Sequence, residues 1–161
     1  IFFDNSLPLI LDADILAMPT ILKLLKRDKL VLTPHPKEFL TLLKLTNLAD
    51  ISIDTLQAER FKYVELFVQK YKNVTLLLKG ANVIIAQGEK TFVNPHGSAK
   101  LAKGGSGDVL SGLIGALLAQ GYSPLNAAIG ASLAHTTLAK NYTGTDFSLT
   151  PDDLINGIGK L

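Results

Sequence analysis

Six of the 13 glycines fall between Gly97 and Gly115, and the densest stretch, Lys103-Gly104-Gly105-Ser106-Gly107-Asp108, runs directly into Val109-Leu110. A glycine-rich turn feeding a helix presents free backbone N–H groups and the positive end of the helix dipole, which together suit a phosphate or an oxyanion. The bland alternative is a tight turn that only caps a helix. Asp108 favours the chemical reading: the first turn of a helix suits a carboxylate, the form in which an Asp can act as a general base. Two familiar phosphate motifs fail here. Asp108 follows the last glycine where a P-loop needs Lys, and Leu110 stands where the dinucleotide fingerprint needs its final glycine.

Three further segments carry chemistry. In Thr33-Pro34-His35-Pro36-Lys37-Glu38, two prolines fix the backbone around His35 and place Glu38 in the first turn of the next helix. Such a segment either faces a ligand or is a rigid turn with a solvated His and a capping Glu. In Leu78-Lys79-Gly80-Ala81-Asn82, a Lys followed by Gly brings a point charge to where a phosphate would lie, or else the Lys is simply solvated. Asp12 and Asp14 follow an aliphatic run, as helix caps or as ligand contacts. His96 and His135 have no partner at metal-ligand spacing and read as structural.

The elements that must position these residues alternate. Leu9–Leu11 and Leu30–Leu32 read as short strands buried on both faces, with a helix between them carrying Pro19 in its first turn. Ile1 to Asp4 run toward the first of these strands. A helix follows from Glu38 to Leu45. Asp54 and Gln57 suggest a capping box for a long helix that presents Phe61, Val64, Phe67 and Val68 and stops near Tyr71. Strands at Val74–Leu78 and Val83–Ala86 lead through Gln87-Gly88-Glu89-Lys90 into a third, Thr91–Val93. Three helices close the chain, over Asp108–Gln120, from Ser123-Pro124 to about Tyr142, and from Thr150-Pro151 onward. This is an α/β pattern, predicting a mainly parallel sheet covered on both faces, with an antiparallel edge hairpin.

Composition narrows the class. The 161 residues suffice for one medium domain, and 47% hydrophobic against 19% charged residues excludes intrinsic disorder. A net charge of +2 with scattered lysines argues against a nucleic-acid partner. No apolar run is long enough for a membrane span, and the absence of cysteine suits a cytoplasmic protein.

Taken together, Leu11-Asp12-Ala13-Asp14, Thr33 to Phe39, Leu77 to Ala81 and Asn94-Pro95 through Gly112 resemble the ADP/ATP-dependent NAD(P)H-hydrate dehydratase family of the ribokinase-like superfamily. The resemblance is collinear from Leu9 to at least Leu138. It implies a three-layer ribokinase-like fold, of which residues 1–161 would be the C-terminal portion, the N-terminal part lying outside this chain. It also implies removal of water from NADHX or NADPHX, the hydrated forms of NADH and NADPH, with ADP or ATP bound alongside. Asp108 would be the catalytic acid/base and would contact substrate; His35 would contact substrate only. Lys79, Gly80, Ala81, Asn82, Val83, Gly105, Ser106 and Gly107 would bind the nucleotide, and Glu38 would associate with Mg²⁺. Homo-oligomers are expected, as is fusion to an NAD(P)HX epimerase domain in the full-length protein. The family usually has Gly where this chain has Lys37 and Thr where it has Val83, which removes a hydroxyl from the nucleotide site. A small-molecule kinase of the same superfamily is the competing reading, with Asp108 deprotonating an alcohol.

Overall fold

The computed structural model describes residues 7–161, so the segment read as running from Ile1 toward the first strand lies outside the described residues. Five strands form one sheet in the order β1 (Leu9–Leu11), β2 (Leu30–Leu32), β3 (Val74–Leu78), β4 (Val83–Gln87) and β5 (Lys90–Asn94). β1, β2 and β3 are parallel, whereas β3, β4 and β5 are antiparallel. The sheet is therefore mixed, and the antiparallel part reaches one strand further in than an edge hairpin. Each parallel connection crosses over through helical segments, while β3 turns straight back into β4.

Seven α-helices are described: α1 (Ile21–Leu24), α2 (Pro36–Leu45), α3 (Ile53–Ala58), α4 (Arg60–Lys70), α5 (Ser106–Ala119), α6 (Pro124–Asn141) and α7 (Pro151–Gly157). Alternation along the strands assigns them to layers. Leu30, Leu32, Leu76, Leu78 and Ile84 point to one face, against Phe39, Leu42 and Leu43 of α2 and Val64, Phe67 and Val68 of α4. Val31, Leu77, Val83 and Ile85 point to the other, against Leu110, Ile114 and Leu118 of α5 and Ala127, Ala128 and Ala131 of α6. Every residue of β3 is buried, as a strand covered on both sides must be. The phenyl rings of Phe39 and Phe67 meet edge to face, 5.8 Å apart, and lock α2 onto α4.

Two helix starts differ from the sequence reading. Pro19 lies just outside α1, whose N-terminal flank is Thr20. The long helix predicted from the Asp54/Gln57 box is two helices: Ser52 takes the cap by accepting from the Thr55 N–H at 3.1 Å, and Glu59 leaves helical angles before α4 begins. The serine hydroxyl, two residues upstream of Asp54, starts the helix earlier, so that Asp54 falls in its first turn instead of capping it. Phe61, assigned to the apolar stripe, is 57% exposed instead. No helix among the described residues is long and apolar enough to cross a membrane.

Candidate functional site

The carboxyl ends of β1, β2 and β3 lie side by side, where open α/β sheets place their ligands. Backbone bonds tie them together: Thr33 N–H donates to the Leu11 carbonyl at 3.2 Å, and Lys79 N–H to the Pro34 carbonyl at 2.9 Å. Asp12, directly after β1, is the hub. Its Oδ1 accepts from its neighbour Ala13 N–H at 2.9 Å and from Lys79 Nζ at 2.8 Å, and its Oδ2 accepts from Ser111 Oγ at 3.0 Å. This network sets the Lys79 ammonium beside the first turn of α5, where a Cβ added at Gly107 would sit 3.2 Å from Nζ. A bare glycine thus lets a cation and the helix N-terminus converge on one point, an arrangement suited to an anion.

The turn itself is built for close approach. Gly105 precedes α5 with φ +83°, a left-handed conformation that glycine tolerates, and no side chain caps the helix. Gly97 packs so tightly on the Ala81 carbonyl that no Cβ would fit. Behind Gly80, Arg60 donates to the carbonyl of Lys79 at 3.2 Å, and burial lowers the guanidinium's pKa from its ordinary value.

These elements surround a cavity of about 710 Å³, within the range of small-molecule sites. His35, Lys79, Gly80, Ser106, Gly107 and His135 line it, as do Ala81 and Val83. Gly105 and Asp108 instead line a second hollow of about 410 Å³ on the other side of the turn, between α5 and α7, with Gly112, Pro151 and Ile155. The turn therefore divides the predicted site residues: the nucleotide set, less Gly105 and Asn82, gathers on one side and the Asp108 carboxylate on the other. Asn82 is exposed beyond the cavity rim.

His35 lies on the cavity but is engaged locally. It caps α2, its Nδ1 accepting from Glu38 N–H at 3.2 Å, while Glu38 Oε2 accepts from His35 N–H at 2.7 Å and Oε1 lies 3.3 Å from His35 Nε2. The cap forms as the rigid-turn reading expects, and the imidazole edge lines the cavity. Both Glu38 oxygens face His35, Glu38 does not line the cavity, and the described residues contain no group of three acidic, His or Cys side chains placed to hold a metal. The residues present thus do not assemble a cage for Mg²⁺ around Glu38.

Four contributors escaped the sequence reading in their actual roles: Ser111, Arg60, Gly97 and His135. His135, read as structural, is 7% exposed on α6, and its Nε2 lies 3.1 Å from Ser106 Oγ. Burial pushes its pKa down to about 4, the Lys79 charge adds to the shift, and hydrogen bonding to the Ser106 backbone opposes it.

A mixed sheet between two helical layers, with a cation and a glycine-rich helix start at its strand ends, defines an α/β protein of ribokinase-like fold. A ribokinase-like superfamily protein from Enterococcus faecalis superposes with a TM-score of 0.81 over 98% of this chain and 52% of its own, at 24% identity. The chain belongs to the NAD(P)H-hydrate dehydratase family, whose model matches residues 1–160. It is 47% identical over 154 residues to the bifunctional NAD(P)H-hydrate repair enzyme Nnr of Helicobacter pylori, covering 96% of this chain and 32% of that protein. The ADP/ATP-dependent NAD(P)H-hydrate dehydratase of Bacillus subtilis, co-crystallised with ATP/Mg²⁺ and soaked with CoA, matches with a TM-score of 0.77 at 27% identity, over 95% of this chain and 54% of that one. The chain thus spans about a third of the first relative and about half of the second.

Proposed function

We propose that this chain is the C-terminal, nucleotide-holding portion of a domain that dehydrates NADHX or NADPHX back to NADH or NADPH, with ADP or ATP bound alongside. The observation that carries this reading is the convergence of Lys79 and the uncapped start of α5 on one cavity, with Asp108 in the same first turn. Lys79 Nζ and the N–H groups of Ser106 and Gly107 hold phosphate, Gly80 and Ala81 line the cavity wall beside it, and Val83 offers that wall no hydroxyl. His35 presents an imidazole edge to substrate. Asp108, exposed on the far side of the turn, exchanges the proton that dehydration requires. Mg²⁺ would enter with the nucleotide, held by phosphate oxygens and water. Residues 1–161 form part of one domain, the complete protein is cytoplasmic and homo-oligomeric, and it carries an NAD(P)HX epimerase domain besides, in keeping with a relative that is a bifunctional repair enzyme.

The decisive assay incubates the full-length protein with NADHX and ADP. Reduced-nicotinamide absorbance should return while the ADP concentration stays constant. Phosphorylation of a small alcohol from ATP, with NADHX untouched, would make this a kinase instead. Asp108→Asn should slow dehydration by roughly 10²–10⁴ through loss of acid–base catalysis, with ADP affinity within about threefold of wild type, since the carboxylate does not line the nucleotide cavity. Near-normal turnover would remove Asp108 from the mechanism.

A further inference from the structure

We propose that His135 is a positioning residue for the nucleotide: its ring fixes the Ser106 hydroxyl at the start of α5, so that this hydroxyl joins the turn's N–H groups in binding a phosphate. The assignment rests on the nucleotide reading of the cavity and adds to it a residue on α6, 29 positions from its partner.

Ser106 and His135 are 4% and 7% exposed, and both line the 710 Å³ cavity. A buried serine can keep a hydroxyl rotor only if something takes up its hydrogen-bonding capacity, and here Nε2 of His135 lies 3.1 Å from Oγ. A Ser–His pair beside backbone donors invites comparison with a nucleophile and its base. The environment argues against that chemistry. Burial and the nearby Lys79 ammonium hold the imidazole neutral and weakly basic, with a pKa of about 4, far from the near-neutral value an efficient base needs.

What a neutral imidazole supplies is direction. With its proton on Nε2, the neutral ring donates to Ser106 Oγ across the 3.1 Å contact. A serine whose oxygen faces a donor keeps its own O–H for another acceptor. The open space is the cavity, and the groups around it, Lys79 Nζ and the first-turn N–H groups of α5, select an anion as that acceptor.

The test titrates ADP and adenosine calorimetrically into the full-length protein and its variants. Ser106→Ala should weaken ADP by roughly 10- to 100-fold, one hydrogen bond to a charged group, and leave adenosine within about twofold. His135→Ala should weaken ADP by a similar or smaller factor, and should cost nothing further once Ser106→Ala is present. His135→Gln, whose amide N–H reaches toward the place of Nε2, should recover most of the wild-type affinity; it also serves if His135→Ala does not fold. Equal losses from His135→Ala with and without Ser106→Ala, or equal weakening of ADP and adenosine, would reduce His135 to packing. Wild-type protein that binds no ADP would overturn the nucleotide reading itself; wild-type binding with an unaffected Ser106→Ala overturns only the role given to His135.

Discussion

The ends of β2 and β3 each carry a polar side-chain pair, and they are wired in opposite ways. At β2 the partners are three residues apart: His35 and Glu38 satisfy each other's backbone N–H groups and close the first turn of α2. At β3 the partners are remote: Lys79 is held by Asp12, 67 residues earlier, and Asp12 is held in turn by Ser111, 99 residues later. The local pair forms whenever α2 forms and is a folding device. The remote pair exists only once β1, β3 and α5 are assembled, so it reports the finished fold. Ser106 and His135 belong to the remote kind, joining α5 to α6.

The largest effect expected from this contrast is the acid sensitivity of the remote side. His135 has a folded pKa of about 4 against an ordinary 6.5, so between these values the unfolded chain binds a proton that the folded one refuses. Its contribution is fully present above pH 6.5 and is lost as the pH falls toward 4. The total is on the order of 3 kcal/mol, of which about 2 kcal/mol is gone by pH 5. The difference in unfolding free energy between wild type and His135→Gln, measured by urea titration at pH 7 and pH 5, should therefore shift by about that amount in favour of the variant. A pH-independent difference would place His135 in contact with solvent.

Next comes Lys79→Met. The thioether keeps much of the apolar stem's packing and removes the charge, so ADP affinity should fall by roughly 10- to 100-fold, as for a lost hydrogen bond to an ionised group. Salt dependence is the sharper readout: ADP binding should become less sensitive to ionic strength than in wild type, because one cation has left the site. If affinity is retained, Lys79 is only the counter-ion of Asp12, and the remote network is structural.

This contrast also explains what could be read before folding. The strand and helix order was legible because apolar runs, proline starts and glycine turns are local signals, and the Thr33 to Glu38 cap was legible for the same reason. Lys79 and the glycine-rich turn were legible as types, each at the end of an element. Their meeting was not, since nothing in a Lys-Gly pair reports an Asp 67 residues away. Arg60 was hidden differently, inside a segment read as one continuous amphipathic helix, because Ser52 and Asp54 compete to cap the same stretch and only the assembled chain shows which wins. His135 lacked a carboxylate or second His nearby, and its true partner is set by how α6 lies against α5.

The smallest predicted effect tests the local side and bears on the metal role of Glu38. If Glu38 acts as a cap, the requirement is for an acceptor opposite the His35 N–H, and glutamine supplies one as glutamate does. Glu38→Gln should then cost little, since the amide oxygen keeps the bond from the His35 N–H. Glu38→Ala should cost about 1 kcal/mol, a fall in Tm of roughly 2–4 °C for a protein of this size. Neither change should alter ADP affinity measured across a Mg²⁺ series beyond about twofold, because Glu38 does not line the cavity. A metal ligand behaves otherwise: it needs the charge, so glutamine and alanine would weaken the Mg²⁺ dependence alike while differing little in Tm. The two substitutions thus separate by their ratio, with stability splitting Gln from Ala if the residue holds α2, and Mg²⁺ response uniting them if it holds a cation.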